Sequence, residues 1–489
     1  MGKASKKTLE KKSPSSKTPV LTQKTFDLVV VGSGPSGQRA AIQAAKNKKR
    51  VALVEGIARP GGACVFWGTI PSKAFRESVY RYSLSSRSKS TSLPQMARLL
   101  ERKNRVVSAE SDIIADQLKR NGVELIHGWA RLTGPHSVEV ISDREQVTHR
   151  LESKYIILAV GARPVAPGAI QVDGEWIHDS NTILNLKRLP KKLVVLGAGI
   201  IGCEYASIFS TAGSKVVLVD KREEILTSVD SDIVQHLIER FESQEMEMRL
   251  GIDTRKVELI RAKGSKRVQG VRVTLENGKR IDADAVLVAM GRAGNTDGLG
   301  LEALGIERDG RGLLKVDSHF RTQVPSIYAV GDVIGAPALA STGYEQGRIA
   351  ASHAFALGDE SERVMNPVFP YGIYTIPEIS TLGQTEAELK AKGVPFVVGW
   401  SRYREMARGQ IVGDRWGLLK LIVDAKTLKI LGVHIIGDNA ADLIHIGQAV
   451  MDLGGDVRWF IRTVFNFPTH AEAYKIAAFH VVNELRKKA

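Results

Sequence analysis

The densest run of chemically capable residues is Gly61–Lys73, GGACVFWGTIPSK. It sets a thiol at Cys64, a hydroxyl at Thr69 and an amine at Lys73 behind two glycines, Gly61 and Gly62. Lacking a Cβ, those glycines let the backbone come close to a ligand. Pro71 suits the first turn of a helix, because its fixed φ and missing N–H cost nothing there. Thr69 cannot join Cys64 in a disulfide, and the chain's other cysteine, Cys203, stands in a separate glycine-rich motif. Two such cysteines form no disulfide framework, and the expectation is a reducing, cytoplasmic location.

The elements around this run carry their own signal. Phe26–Gly32 (FDLVVVG) reads as a buried parallel strand. It leads into Gly32-Ser-Gly34-Pro-Ser-Gly37, an alanine-rich helix, and a second strand, Arg50–Glu55, that ends in an acid. This is the full strand–helix–strand fingerprint of a dinucleotide site. The glycines allow a tight turn, the helix start offers N–H groups to a pyrophosphate, and Glu55 can accept from ribose hydroxyls. The pattern then repeats. Lys192–Leu196 leads into Gly197-Ala-Gly199-Ile-Ile-Gly202, and Lys215–Val219 ends in Asp220. Two dinucleotides are implied, with hydride passing between them or to a third group. At the second site Asp220 favours NAD through the free 2′-OH, whereas Lys221 and Arg222 favour NADP through its 2′-phosphate. Both bases could instead be solvated residues; otherwise the site tolerates either nucleotide.

Other segments complete this frame. The apolar run Tyr155–Val160 ends in Gly161 and could return the chain to the first sheet. A strand over Ile281–Met290 precedes Gly291-Arg292, and YAVGDVIG sets Gly331-Asp332 just past another, with a helix from about Ala340.

At 489 residues the chain is too long for one core, so roughly two to four domains are expected. Hydrophobic content of 43% and charged content of 25% are ordinary for a soluble globular protein. No apolar run approaches the roughly 18 residues of a membrane span. Of the net charge of +16, six units come from the first 25 residues, which hold seven lysines against Glu10. That segment should be a disordered basic tail. The rest of the charge forms no stripe and accompanies no nucleic-acid motif, so anionic cofactors are the expected partners rather than nucleic acid or membrane.

Read together, these motifs resemble the pyridine nucleotide–disulfide oxidoreductases, flavoproteins with two dinucleotide-binding domains. The likeness runs from Phe26 to the C-terminus through CVFWGTIPSKA, GAGIIGCEYASIF, GRAGNTD, YAVGDVIG, GIYTIPEIS and FNFPTHAEAY. Within the family, the tryptophan–Gly–Thr form of the cysteine motif resembles the flavin-containing transhydrogenase branch. The resemblance implies an α/β fold with two Rossmann-like domains, for FAD and NAD(P), and a C-terminal α+β dimerisation domain. It implies that Gly32, Gly34, Gly37 and Glu55 hold the adenosine diphosphate of FAD and Asp332 its ribityl chain. Gly61, Gly62, Cys64, Gly161, Gly331 and Gly291 would lie along the cofactors. Lys73 and Glu204 would pair near flavin N5 as the catalytic residues. Gly197, Gly199, Gly202 and Asp220 would hold the nicotinamide dinucleotide, with Lys221 and Arg222 beside them. The expected division is a tail (1–25), an FAD-binding domain in two segments (26–168 and 294–364), an NAD(P)-binding domain (169–293) and an interface domain (365–489). A homodimer follows, with room for higher assembly.

The dithiol members of that family carry a second cysteine where this chain has Thr69, and a base histidine where it has Phe467 before Pro468. Both groups belong to one half-reaction, and their joint absence leaves the flavin half. The expected activity is hydride transfer between NADPH and NAD+ through the flavin, with no metal. Two alternatives stand beside it: an NAD(P)H peroxidase or oxidase cycling Cys64 through a sulfenic acid, and a flavin-binding regulator without turnover.

Overall fold

In a computed structural model, residues 21–85, 95–168, 170–262 and 264–488 are described. Met1–Val20, most of the expected tail, lies outside them. The chain is a mixed α/β protein built on three main sheets. The first places Glu124–His127, Val51–Glu55, Thr22–Val31 and Val147–Leu158 side by side and parallel, and Ile327–Ala329 joins the far side of the last. Ser137–Ile141 and Trp129–Gly134 continue it in antiparallel register. The second sheet is parallel throughout: Glu247–Arg249, Lys215–Val219, Lys192–Leu196, Ala285–Val288 and Ile177–His178. Both cores consist of strands buried on two faces, Leu28–Val30 and Leu193–Val195 among them.

Two expectations change in detail. The first strand begins at Thr22, four residues earlier than its apolar run, because Thr22–Phe26 pair with His149–Ser153. Thr22–Thr25 alternate half-buried and exposed ahead of buried Phe26, so composition alone conceals them. The strand anticipated over Ile281–Met290 is two strands, Arg280–Ala283 and Ala285–Val288. The first belongs to an antiparallel three-stranded sheet and the second to the parallel one.

The C-terminal part is a five-stranded antiparallel sheet, ordered Tyr371–Ile373, Ile379–Gly383, Ile430–Ile436, Leu418–Asp424 and Phe396–Arg402. Helices Ala440–Asp452 and Glu472–Lys488 pack on it. The helix Thr69–Ser85 lies between these parts: Phe75 and Val79 sit in the second sheet's core, and the Arg76 Nε–H donates to the Thr375 carbonyl at 3.0 Å. No described helix is long and apolar enough to cross a membrane.

Candidate active site

The glycine motifs sit where parallel strands end, the usual place for a ligand in an open α/β sheet. Gly32 follows Thr22–Val31, Glu55 ends the next strand, Gly161 lies just past Val147–Leu158, and Gly331-Asp332 lies just past Ile327–Ala329. Gly32 has φ +100°, and a Cβ there would strike the Ala159 carbonyl; one on Gly37 would strike the Gly32 carbonyl oxygen. Above Gly34 the space is open, with no atom within 4 Å of a Cβ built there. Gly34 is also the cap of helix Pro35–Lys46 and supplies no side-chain bond to its first turn. The result is an uncovered cradle at a helix N-terminus, the shape and polarity that a pyrophosphate requires.

Ser33 ties this cradle to the thiol motif. Its N–H donates to Glu55 Oε2 at 2.9 Å, its hydroxyl donates to the same oxygen, and the Gly61 N–H donates to Ser33 Oγ at 2.9 Å. A Cβ on Gly62, whose φ is +61°, would come within 2.8 Å of the Gly34 Cα. The backbone before Cys64 is thus seated on the first glycine loop. From there a short helix, Gly62–Phe66, carries Cys64, and the helix from Thr69 carries Lys73.

Cys64 is half-buried, and burial raises its thiol pKa. A hydrogen bond with Thr69 and the charge of Lys73 pull it down, while the Asp332 charge pushes it up. Thr69 therefore occupies the place beside the sulfur that a partner thiol would need. The Asp332 carboxylate accepts no hydrogen bond among the described residues, and burial raises its pKa against the pull of Arg292, whose guanidinium lies 3.9 Å away. A half-buried carboxylate of this kind fits a ligand that brings hydroxyl donors. Together with the open cradle at Gly34, it matches the residues present to a flavin dinucleotide.

Lys73 donates to Glu204 at 2.8 and 3.0 Å; the lysine side chain is 26% exposed and the glutamate 7%. Glu204 also accepts the Tyr374 N–H at 2.8 Å, and the Lys73 ammonium lies 4.9 Å above the Tyr374 ring. Sequence reasoning singled out Lys73 and Glu204 but not Tyr374, Ser33 or Arg292 as parts of this arrangement. Tyr374 lay in plain view within GIYTIPEIS, but no periodicity connects it to residues so far away in the chain.

The second loop repeats the first. Gly197 has φ +106°, and a Cβ on it would strike the Ala289 carbonyl; one on Gly202 would strike the Gly197 carbonyl oxygen. Helix Ile200–Thr211 follows, capped by Gly199 without a side-chain bond. Cys203 is fully buried, its Sγ–H donating to the Ala198 carbonyl at 3.3 Å. Asp220 accepts the Ala198 N–H at 2.6 Å and is forked by Arg222 at 3.0 and 2.7 Å. Lys221 is exposed and makes no polar contact among the described residues. Gly291, with φ +143°, accepts the Val165 N–H at 3.1 Å, where Ala162–Pro164 pairs with Arg292–Gly294. The structure therefore gathers the first-loop residues, Cys64, Asp332, Lys73 and Glu204 into one region. Gly197, Gly199, Gly202, Asp220 and Arg222 form a second, joined to it by helix Ile200–Thr211, which carries Glu204.

His470 stands apart. It is buried and stacked on Tyr403 at 4.4 Å, with burial lowering its pKa, whereas Phe467 is 72% exposed. Among the described residues no cluster of acids, histidines or cysteines is arranged to hold a metal ion.

Comparison with known proteins bears on this geometry. The chain is 46% identical over 470 residues to a soluble pyridine nucleotide transhydrogenase of Mycobacterium tuberculosis, covering 94% of this chain and 98% of that one. It is 44% identical to a protein of the same name from Chromohalobacter salexigens, covering 94% and 99%. Among solved structures, the HOCl-induced flavoprotein disulfide reductase RclA of Escherichia coli matches with a TM-score of 0.83 at 27% identity, covering 93% of this chain and 100% of that one. LpdA of M. tuberculosis matches with a TM-score of 0.84 at 26% identity, covering 94% and 99%. A family profile for pyridine nucleotide-disulphide oxidoreductase matches residues 26–347, and one for the dimerisation domain of the same family matches residues 369–478. With both glycine loops, the thiol motif and the C-terminal sheet inside those matches, the chain belongs to the pyridine nucleotide-disulphide oxidoreductase family.

Proposed function

We propose that the chain is an FAD-dependent transhydrogenase that moves hydride between NADPH and NAD+. The observation that carries this reading is the pairing of Cys64 with Thr69, which leaves no second thiol to take electrons onward, beside two intact glycine loops. The relatives named as transhydrogenases support it.

In this reading the loop Gly32–Gly37, with Glu55, Gly61 and Gly62, holds the FAD diphosphate and adenosine, and Asp332 takes hydroxyls of its ribityl chain. FAD, when bound, supplies the chemistry of accepting and returning a hydride. Gly197, Gly199, Gly202, Asp220 and Arg222 hold the nicotinamide dinucleotide. The Lys73–Glu204 pair keeps a fixed positive charge beside the reacting region, and Tyr374 fixes both partners. Because that charge is already oriented, little reorganisation accompanies the reaction. Cys64 stays a protonated thiol and packs without turning over. Gly161 and Gly291 shape the crossing between the two nucleotide regions, and Lys221 serves as a solvated surface charge.

The same proposal assigns the FAD-binding domain to 26–168 and 294–364, the NAD(P)-binding domain to 169–293 and the interface to 365–489. It makes the protein a cytoplasmic homodimer, with exposed Leu453, Val464 and Phe467 on the dimerisation segment. Steady-state reduction of thio-NAD+ by NADPH, run beside lipoamide and peroxide as acceptors, tests the activity. Turnover with thio-NAD+ and none with lipoamide supports it; turnover with peroxide alone replaces it with the sulfenic acid reading.

A further inference from the structure

Between the strands Tyr371–Ile373 and Ile379–Gly383 the chain passes through a buried loop, with Thr375 0% and Ile376 4% exposed. A buried loop has no ladder for its backbone groups, so their partners must come from elsewhere. Side chains of two helices supply them. The Tyr374 N–H donates to Glu204 Oε1 at 2.8 Å, and the Arg76 Nε–H donates to the Thr375 carbonyl at 3.0 Å. Ser207 Oγ accepts the Ile376 N–H at 2.7 Å, and its hydroxyl donates back to the Ile376 carbonyl at 3.3 Å.

The spacing of these side chains is regular. Arg76 follows Lys73 at i+3 on the helix Thr69–Ser85, and Ser207 follows Glu204 at i+3 on the helix Ile200–Thr211. Each pair shares one helix face, and the loop is held between the two faces. The contacts close on themselves. Lys73 bonds Glu204, Glu204 accepts the Tyr374 N–H, the Thr375 carbonyl accepts from Arg76, and one helical turn returns to Lys73. Inside this ring the Lys73 ammonium lies 4.9 Å from the centre of the Tyr374 ring. Arg76 is itself fixed, with Nη2 3.5 Å from Glu378 and its guanidinium 5.4 Å from the centre of the Tyr80 ring. Ser207 is fully buried. Every side-chain hydrogen bond that Arg76 and Ser207 make among the described residues goes to the loop.

Resting on the transhydrogenase reading, we propose that Arg76 and Ser207 are positioning residues for hydride transfer. They hold the loop Tyr374–Ile376 so that Tyr374 fixes the Lys73–Glu204 pair in its reacting geometry. Both act through that loop rather than on a nucleotide. Releasing either bond lets the loop shift, and a displacement of about 1 Å at the reacting groups lowers the rate by up to about 100-fold. Binding of the nucleotide, which rests on the glycine loop, is left intact.

The test is anaerobic stopped-flow reduction of the FAD-loaded protein by NADPH and, in parallel, by NADH. It separates the limiting rate of flavin bleaching from the apparent Kd of the nucleotide. Ser207→Ala and Arg76→Lys are each expected to lower the limiting rate by at least about tenfold, with Kd held within about twofold. Arg76→Lys keeps the positive charge beside Glu378 without the planar fork. A role confined to neutralising that buried acid would therefore leave its rate at the wild-type value. Arg81→Gln is the control, since Arg81 stands on the same helix with its side chain 64% exposed, and it should change neither quantity. The two test variants remove different bonds, so a folding defect in one, read by urea denaturation, leaves the other decisive. A smaller loss of rate in a folded variant, or a loss confined to Kd, overturns the proposal. Bleaching needs no second nucleotide, so a wild type that bleaches yet fails to reduce thio-NAD+ sinks the transhydrogenase while the same rates still decide the positioning role. A wild type bleached by neither nucleotide overturns both.

Discussion

Lys73 Nζ lies 2.8 and 3.0 Å from the two carboxylate oxygens of Glu204, joining the helix that follows Cys64 to the helix that follows the second glycine loop. Glu204 is almost wholly buried, so removing only the lysine leaves a charge without compensation. Lys73→Met should therefore destabilise the protein by about 3 kcal/mol and lower kcat by roughly 10- to 100-fold through misplacement of the reacting region. The double variant Lys73→Met/Glu204→Leu should recover most of the stability and none of the turnover. Urea denaturation and steady-state kinetics on the three proteins separate the two effects.

Thr69 hydrogen-bonds with Cys64 and fills the place of a partner thiol. Thr69→Cys should therefore close a disulfide with Cys64 on mild oxidation. Titration of thiols in the denatured, oxidised variant is expected to find Cys203 alone. Finding three free thiols would show that the two positions do not meet.

Burial raises the thiol pKa of both Cys64 and Cys203 above the ordinary value of 9.0. A raised folded-state pKa means that the native protein holds these protons where the unfolded chain releases them. This contribution to stability is complete below the ordinary thiol pKa and is lost as pH rises through it. Native Cys64 should accordingly react with iodoacetamide at pH 8 more slowly than a free thiol, and thermal stability should fall above pH 9. A fast, pH-independent alkylation would mark Cys64 as a reactive thiolate instead.

Lys420 is fully buried, with its ammonium 2.7 Å from Asp230, 2.7 Å from Asp232 and 2.6 Å from Glu386. Asp230 caps the helix Ser231–Ser243 beside the second sheet, while Glu386 and Lys420 belong to the C-terminal part. Burial raises and Lys420 lowers the pKa of Asp230 and Glu386, with a net fall for both. Their contribution is present above the ordinary carboxylate range and is lost as pH falls through it. Lys420→Met should cost about 3–5 kcal/mol, since it strands the buried Asp230 beside the half-buried Glu386. It should also flatten the acid limb of a stability–pH curve measured by urea titration.

Much of the fold was legible because glycine loops announce themselves: only residues without a Cβ fit where Gly32, Gly37, Gly197 and Gly202 touch backbone. The charges were harder to read. Lys420 within GLLKLIVD looks like a solvent-facing residue of a strand, yet it is 0% exposed because three acids from distant segments converge on it. Asp220 and Arg222 read as independent charges, and only the structure shows one occupying the other. Tyr374 reaches Lys73 and Glu204 through contacts between elements, which no local pattern encodes.

In the proposed function, hydride crosses this site without help from a thiol. The most direct measurement is the NADPH-to-thio-NAD+ turnover of Cys64→Ser, with flavin content checked by absorbance. Turnover within about threefold of wild type is the predicted result, as for a residue that touches no charge developing in the reaction. A loss of a hundredfold or more in a fully flavin-loaded variant would contradict the account and return Cys64 to the chemistry.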